Sequence, residues 1–111
     1  MAGLLGQLEI LTLVAVHRLG DDEAYGVTVQ REIASIGGRE ISMGAVYAVL
    51  ERLEQLGLVR PRLSEPRPER GGRARRYFTV TAGGLDHIRV ARADAMRLWE
   101  AVSIPKTGKR S

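Results

Sequence analysis

The chain has 111 residues, 44% hydrophobic and 27% charged, with a net charge of +4 and no cysteine. That balance describes one globular domain with a modest core, not a disordered chain, and it excludes disulfides and thiolate metal or redox centres. The richest apolar stretch, Leu8 to Val16, is interrupted by Glu9 and Thr12 and has no basic region before it; it is neither a membrane span nor a secretion signal, so a soluble cytoplasmic protein is expected.

Leu4 to Leu19 reads as a first helix ended by Gly20 and the turn residues Asp21-Asp22. Its apolar residues cover more than one face. A single domain needs one stripe, so the second face calls for a further partner, either another subunit or a core wrapped around the whole helix. A second helix begins near Ala24 or Tyr25 with Asp22 as its N-cap, buries Val27, Ile33 and Ile36, and ends at Gly37-Gly38. Ser42 caps a third helix that Gly57 terminates, and the interval from Gly37 to Ile41 is the short turn of a helix-turn-helix. Along the third helix Val46, Leu50 and Leu53 recur at core-facing spacing, which turns Gly44, Ala48, Arg52 and Gln55 outward.

Leu58-Val59 and Arg76 to Thr81 read as two short strands joined by a long loop with Pro61, Pro66, Pro68 and Gly71-Gly72. Thr81 caps a last helix running to about Val102, whose Leu85, Ile88, Ala95, Trp99 and Val102 form a heptad-like seam broken by Arg92. The expected fold is mainly α with a small β-hairpin: a winged helix-turn-helix over residues 1–81, a C-terminal helix over 82–102, and a basic tail over 103–111.

Charge is distributed unevenly over these elements. Residues 1–59 carry four Arg against eight acidic residues, whereas residues 60–76 carry seven Arg against Glu65 and Glu69. The tail adds Lys106, Lys109 and Arg110. Positive charge gathered on a hairpin beside a small-residue helix face suits a polyanion, double-stranded DNA above all; a merely solvated charged loop is the alternative.

Four segments in this order resemble the PadR family of bacterial transcriptional regulators: LLGQLEILTLVAV at 4–16, AYGVTVQREI at 24–33, SMGAVYAVLERLEQLGLV at 42–59 and PERGGRARRYFTVTAGG at 68–84. The resemblance covers nearly the whole chain up to Val102, and the short length is similar to the small PadR subfamily with a single C-terminal dimerisation helix. It implies a homodimer packed through its first and last helices. It also implies repression at a pseudo-palindromic operator, with each third helix in a major groove and each wing on the backbone or minor groove. The family's wing glycines correspond to Gly71 and Gly72 and its recognition tyrosine to Tyr47. Ala82-Gly83-Gly84 departs from the Pro-Glu-Gly of many relatives, which weakens the start of the last helix.

The expected DNA-contacting set is Ser42, Met43, Gly44, Ala45, Tyr47, Ala48 and Arg52 on the third helix, with Arg70, Gly71, Gly72, Arg73, Arg75 and Arg76 on the wing. The wing arginines act as phosphate clamps or minor-groove probes, although Arg76 is equally placed to form a salt bridge at the base of the strand. Tyr47 offers its hydroxyl to a phosphate; Tyr25 either does the same or packs. Long polar readers are sparse on the third helix, so specificity leans on methyl contacts and DNA shape. The expected dimer interface comprises Leu5, Leu8, Leu85, Ile88, Ala95, Trp99 and Val102. The resemblance to the multidrug-sensing PadR branch adds a possible flat hydrophobic effector on Trp99, with Leu8 and Met96 nearby; the simpler role for Trp99 is to fill the interface.

No cofactor or metal is expected: His17 and His87 have no partners at ligand spacing. No nucleophile elbow or complete phosphate loop occurs, so enzymatic activity is not expected. The alternative to a DNA-binding regulator is a winged-helix scaffold that binds proteins, for which apolar anchors would suit the wing better than arginines. Operator sequence, target genes and inducer are not legible in the residues.

Overall fold

The computed structural model describes residues 5–65 and 75–105. Its elements run α1 (Gln7–Leu19), α2 (Gly26–Gly37), α3 (Met43–Gln55), β1 (Val59–Leu63), β2 (Arg76–Val80) and α4 (Ala82–Glu100). The chain is mainly helical, with one antiparallel hairpin as the wing and a long C-terminal helix.

α1 starts later than the expected Leu4 because Gly6 is its N-cap, and the Glu9 side chain accepts a hydrogen bond from Gly6 N at 2.8 Å. α2 is capped by Tyr25 and not by Asp22. The hydroxyl of Thr28 accepts from Tyr25 N at 3.0 Å, which closes the first turn and places Asp22 outside the helix. Gly38 takes the left-handed conformation that ends α2. Gln30 then donates to Ile41 O at 2.8 Å, fastening the turn to α2. Ser42 caps α3 as expected, its hydroxyl accepting from Ala45 N at 3.1 Å.

β1 runs from Val59 through Leu63, past the expected Leu58-Val59, with Pro61 in its middle opposite Phe78. β1 is paired with β2 on one side only, so a proline can be accommodated in it without losing a ladder bond. Thr81 does two things where β2 turns into α4. Its hydroxyl donates to Gly57 O at 2.7 Å and accepts from Gly84 N at 3.1 Å, tying the end of α3 to the start of α4.

The core is built from Leu13, Ala15 and Val16 of α1, Val29 and Ile33 of α2, Val46, Leu50 and Leu53 of α3, and Leu58, Val59 and Phe78 of the wing base, with Ala24 beside them. The expected core face of α3 is thus the observed one. On α2 the expectation was partly wrong: Val27 and Ile36 are exposed, and Gly26, Val29 and Ile33 form the inner stripe. That stripe follows the helical repeat, and Val27 and Ile36 stand to either side of it.

The second face of α1 is covered largely from within the chain, since α1 touches α2, α3, β2 and α4. Leu5, Leu8, Leu11 and Leu19 pack, half-buried, around its four buried residues. α4 is the opposite case. Gly84 is its one buried residue, Leu85 and Ile88 are half-buried against the domain, and every residue from Arg92 to Pro105 is exposed. No helix among the described residues is long and apolar enough to cross a membrane.

Candidate nucleic-acid interface

The outer face of α3 follows from its core face. With Val46, Leu50 and Leu53 pointing inward, Ser42, Gly44, Tyr47, Ala48, Glu51, Arg52 and Gln55 are exposed, while Met43 and Ala45 are half-buried at the rim. The leading half of this surface is made of small side chains around one large one, Tyr47, whose residue surface is 51% exposed. The hydroxyl end of Tyr47 lies over Gly26 at the start of α2, where a Cβ would come within 2.4 Å of it. Gly26 therefore makes room for Tyr47 at the helix-turn-helix junction.

The arginines are less available than their number suggests. Arg52, expected among the DNA readers, pairs through Nε with the carboxylate of Glu9 on α1. Glu9 is mostly buried, and a carboxylate withdrawn from water is stabilised by such a partner. Arg76 takes the second of the two roles open to it: its guanidinium meets Glu54 of α3 at 2.7 Å and lies 5.5 Å from the centre of the Phe78 ring. A cleft of about 380 Å³ lies between α3 and the wing base, lined by Tyr47, Leu50, Glu51, Glu54, Gln55, Arg76 and Phe78.

On the other side of the wing base, Arg75 stacks on Tyr25 with its guanidinium carbon 4.0 Å from the ring centre. Tyr25 in turn meets Tyr77 edge-on, with centroids 5.5 Å apart. Arg62 covers Tyr77 at 4.9 Å and donates to Asp21 O at 2.9 Å. The strand is locked to this stack through its backbone, since Phe78 N donates to Ala24 O at 2.9 Å. Arg70, Gly71, Gly72 and Arg73, expected at the wing tip, lie outside the described residues.

The expected interface residues fall into two groups. Leu5, Leu8, Leu85 and Ile88 are half-buried within their own chain, whereas Ala95 and Trp99 are exposed on α4 beside Met96 and Leu98, and Val102 is exposed just past its end. Trp99 alone is 62% exposed. A smaller cleft beside α2 is lined by Gln30, Arg31, Ala34 and Glu40; neither it nor the α3–wing cleft involves Leu8, Met96 or Trp99, the residues expected to hold an effector. Among the described residues no group of three His, Cys, Asp or Glu converges as a metal site.

Sequence reasoning did not find Glu9, Glu54, Arg62 and Tyr77 as structural partners of the site. Their contacts join residues far apart in the chain, and no local spacing signals them.

The profile of the transcriptional regulator PadR-like family matches residues 16–90, well over half of the chain. Among curated sequences no protein matches. Solved structures with this fold include a PadR family transcription regulator from hypervirulent Clostridium difficile R20291, at 21% identity and TM-score 0.71 over 86% of this chain and 94% of that one. A PadR-like transcription factor from Bacteroides fragilis aligns at 22% identity and TM-score 0.72, covering 86% of each chain. A PadR-like transcriptional regulator from Bacillus cereus aligns at 21% identity and TM-score 0.67, covering 85% of each.

Proposed function

The chain belongs to the PadR-like family of transcriptional regulators, a family of regulators and not of enzymes, and on that premise we propose that it is a homodimeric repressor of a pseudo-palindromic operator. The observation that carries the proposal is the outer face of α3: small, open, and set between α2 and the wing. Ser42, Met43, Gly44, Ala45 and Ala48 enter the major groove in this reading, with Tyr47 on a flanking phosphate. Arg75 and the wing-tip Arg70 and Arg73 neutralise the backbone, and Gly71-Gly72 lets the tip approach it. Arg52 and Arg76 hold α3 against α1 and the wing, bound as they are to Glu9 and Glu54.

Residues 1–81 form the DNA-binding unit and 82–102 the dimerisation helix. Ala95, Trp99 and Val102 supply the inter-subunit contact, joined by the exposed edges of Leu5, Leu8, Leu85 and Ile88. Met96, Leu98 and Trp99 are apolar side chains left in water in the single chain, and a second copy of α4 would cover them. A flat hydrophobic effector would take its place between the two Trp99 rings, with Leu8 and Met96 alongside. A cytoplasmic location follows from the DNA partner.

The test is fluorescence-anisotropy titration of the protein against its own upstream DNA, with random duplex as competitor and salt varied. Tight binding that survives competitor and weakens by decades as salt rises supports a sequence-specific regulator. Equal affinity for both duplexes removes the operator from the proposal. No binding at low salt favours the protein-binding scaffold.

A further inference from the structure

We infer that Tyr25 is a positioning residue for DNA binding: its ring face holds the guanidinium of Arg75 in the orientation in which that group meets a backbone phosphate. The inference rests on the DNA-binding reading above and adds to it a residue whose own atoms need not touch DNA.

The geometry has three parts. First, the main chain of Arg75 is fixed from both directions: Ser64 N donates to Arg75 O at 2.8 Å, and Arg75 N donates to the Ser64 hydroxyl at 2.8 Å. The remaining freedom of Arg75 is in its side chain. Second, that side chain lies across Tyr25, with Cζ 4.0 Å from the ring centre. A guanidinium stacked on a ring spends its face on the π system and keeps its N–H edge for an anion in the same plane. Third, the ring is itself immobilised. Tyr25 is the N-cap of α2, pairs with Tyr77 across an isolated antiparallel bridge, and abuts the Tyr77 ring, which Arg62 covers from beyond. The sequence Arg62, Tyr77, Tyr25, Arg75 thus runs as a stack from the Asp21 turn to the residue that precedes β2.

Charge supports a phosphate as the object of this arrangement. Arg75 adjoins in sequence the stretch holding Arg67, Arg70 and Arg73, within residues 60–76 that carry seven Arg and two acidic residues. It sits on the same side of the domain as the start of α2. A long flexible side chain held this way loses less entropy on meeting a phosphate than one that must be ordered in the encounter.

The experiment is a double-mutant cycle on the full chain, read by anisotropy on the DNA the wild type binds, over a range of salt. Thermal melts and sedimentation confirm the fold and oligomeric state of each variant. Tyr25→Phe keeps the ring and should bind like wild type. Tyr25→Leu should weaken binding by about three- to thirtyfold, the range of a stacked cation. It should also flatten the plot of log affinity against log salt by about 0.9 for each phosphate no longer neutralised, although no charge has been removed from the protein. Arg75→Gln should show the same flattening, and the double variant should bind little more weakly than either single one. Tyr25→Met, which refills the packed volume without a π face, replaces the leucine variant if the latter unfolds.

Four results would overturn the inference. If Tyr25→Phe binds as weakly as Tyr25→Leu, the hydroxyl is the group that acts. If Tyr25→Leu leaves the salt slope unchanged, or its effect adds fully to that of Arg75→Gln, Tyr25 acts independently of the arginine. A wild type that binds no DNA removes the inference together with the reading beneath it, and does so before any variant is made.

Discussion

Gly84 and Gly83 are adjacent in the first turn of α4, yet an added methyl group should have opposite effects on them. Gly84 is buried where α4 crosses the start of β1. A Cβ there would stand 2.2 Å from Leu58 O, 2.6 Å from Val80 Cγ1 and 3.2 Å from Leu58 C. Moving the oxygen out to an ordinary contact requires a backbone shift of roughly 1 Å in a tightly packed region, and overpacking of that kind costs about 1–3 kcal/mol. The carbonyl cannot move freely, because it also accepts the Thr81 N–H at 3.0 Å. Against this, alanine gains at most about 1 kcal/mol of helix propensity, and less in a first turn than in a helix interior. The net loss for Gly84→Ala is about 1–2 kcal/mol. In a domain of this size that lowers Tm by on the order of 5–15 °C, read by circular dichroism under conditions of reversible unfolding. At Gly83 the nearest atoms to a new Cβ are Gly57 O and Thr81 Oγ1, both at 3.7 Å, so nothing is displaced. Gly83→Ala should be neutral or raise Tm by a few degrees. A Gly84→Ala protein that melts at or above the wild type would refute the close approach of α4 to Leu58.

Other substitutions test the remaining joints. Gly26→Ala should displace the Tyr47 hydroxyl end; the half-exposed ring can swing outward, so Tm should fall little while DNA affinity falls about tenfold, the worth of a hydrogen bond to a charged group. Ser42→Ala removes the bond accepted from Ala45 N and should cost about 1 kcal/mol, a drop in Tm of about 4–8 °C. Trp99→Asp should weaken dimerisation by about thirtyfold or more in sedimentation equilibrium, the loss of one interface anchor, with the fold of the first three helices unchanged by circular dichroism.

The fold was legible where one principle acted alone. The spacing of Val46, Leu50 and Leu53, the Ser42 cap and Gly57 at φ 76° belong to a single helix, and local rules assigned each of them. Reading failed where a local signal had a competitor further along the chain. Asp22 is a good capping residue by type, but Thr28 reaches Tyr25 N first and the cap sits three residues later. Val27 and Ile36 are apolar, but the stripe that meets α1 and α3 uses Gly26, whose lack of a side chain hides its burial from any hydrophobicity pattern. Pro61 signalled a loop, and the open outer edge of β1 allowed it into a strand.

The site was harder to read than the fold for an electrostatic reason. Counting arginines over residues 60–76 measures the charge present, not the charge that faces a ligand. Arg76 is shared with Glu54 and Arg62 with the Asp21–Asp22 turn, just as Arg52 on α3 is shared with Glu9; in each case the acidic partner lies more than twenty residues away in sequence. These pairs occupy the seams between α1, α3 and the wing. There an ion pair fixes the direction of one element against another even where its net contribution to stability is small. Two of the eight acidic residues in 1–59, Asp22 and Glu54, thus face arginines of the wing, and Glu9 faces Arg52 within the same stretch. Glu9 and Glu54 are the counter-charges that orient α3 and the wing, so neutralising either should leave the positive surface nominally larger and yet misdirected. Glu54→Gln should therefore weaken DNA binding despite raising the net charge, whereas a surface that acts by charge alone would bind more tightly, and the two outcomes differ in sign.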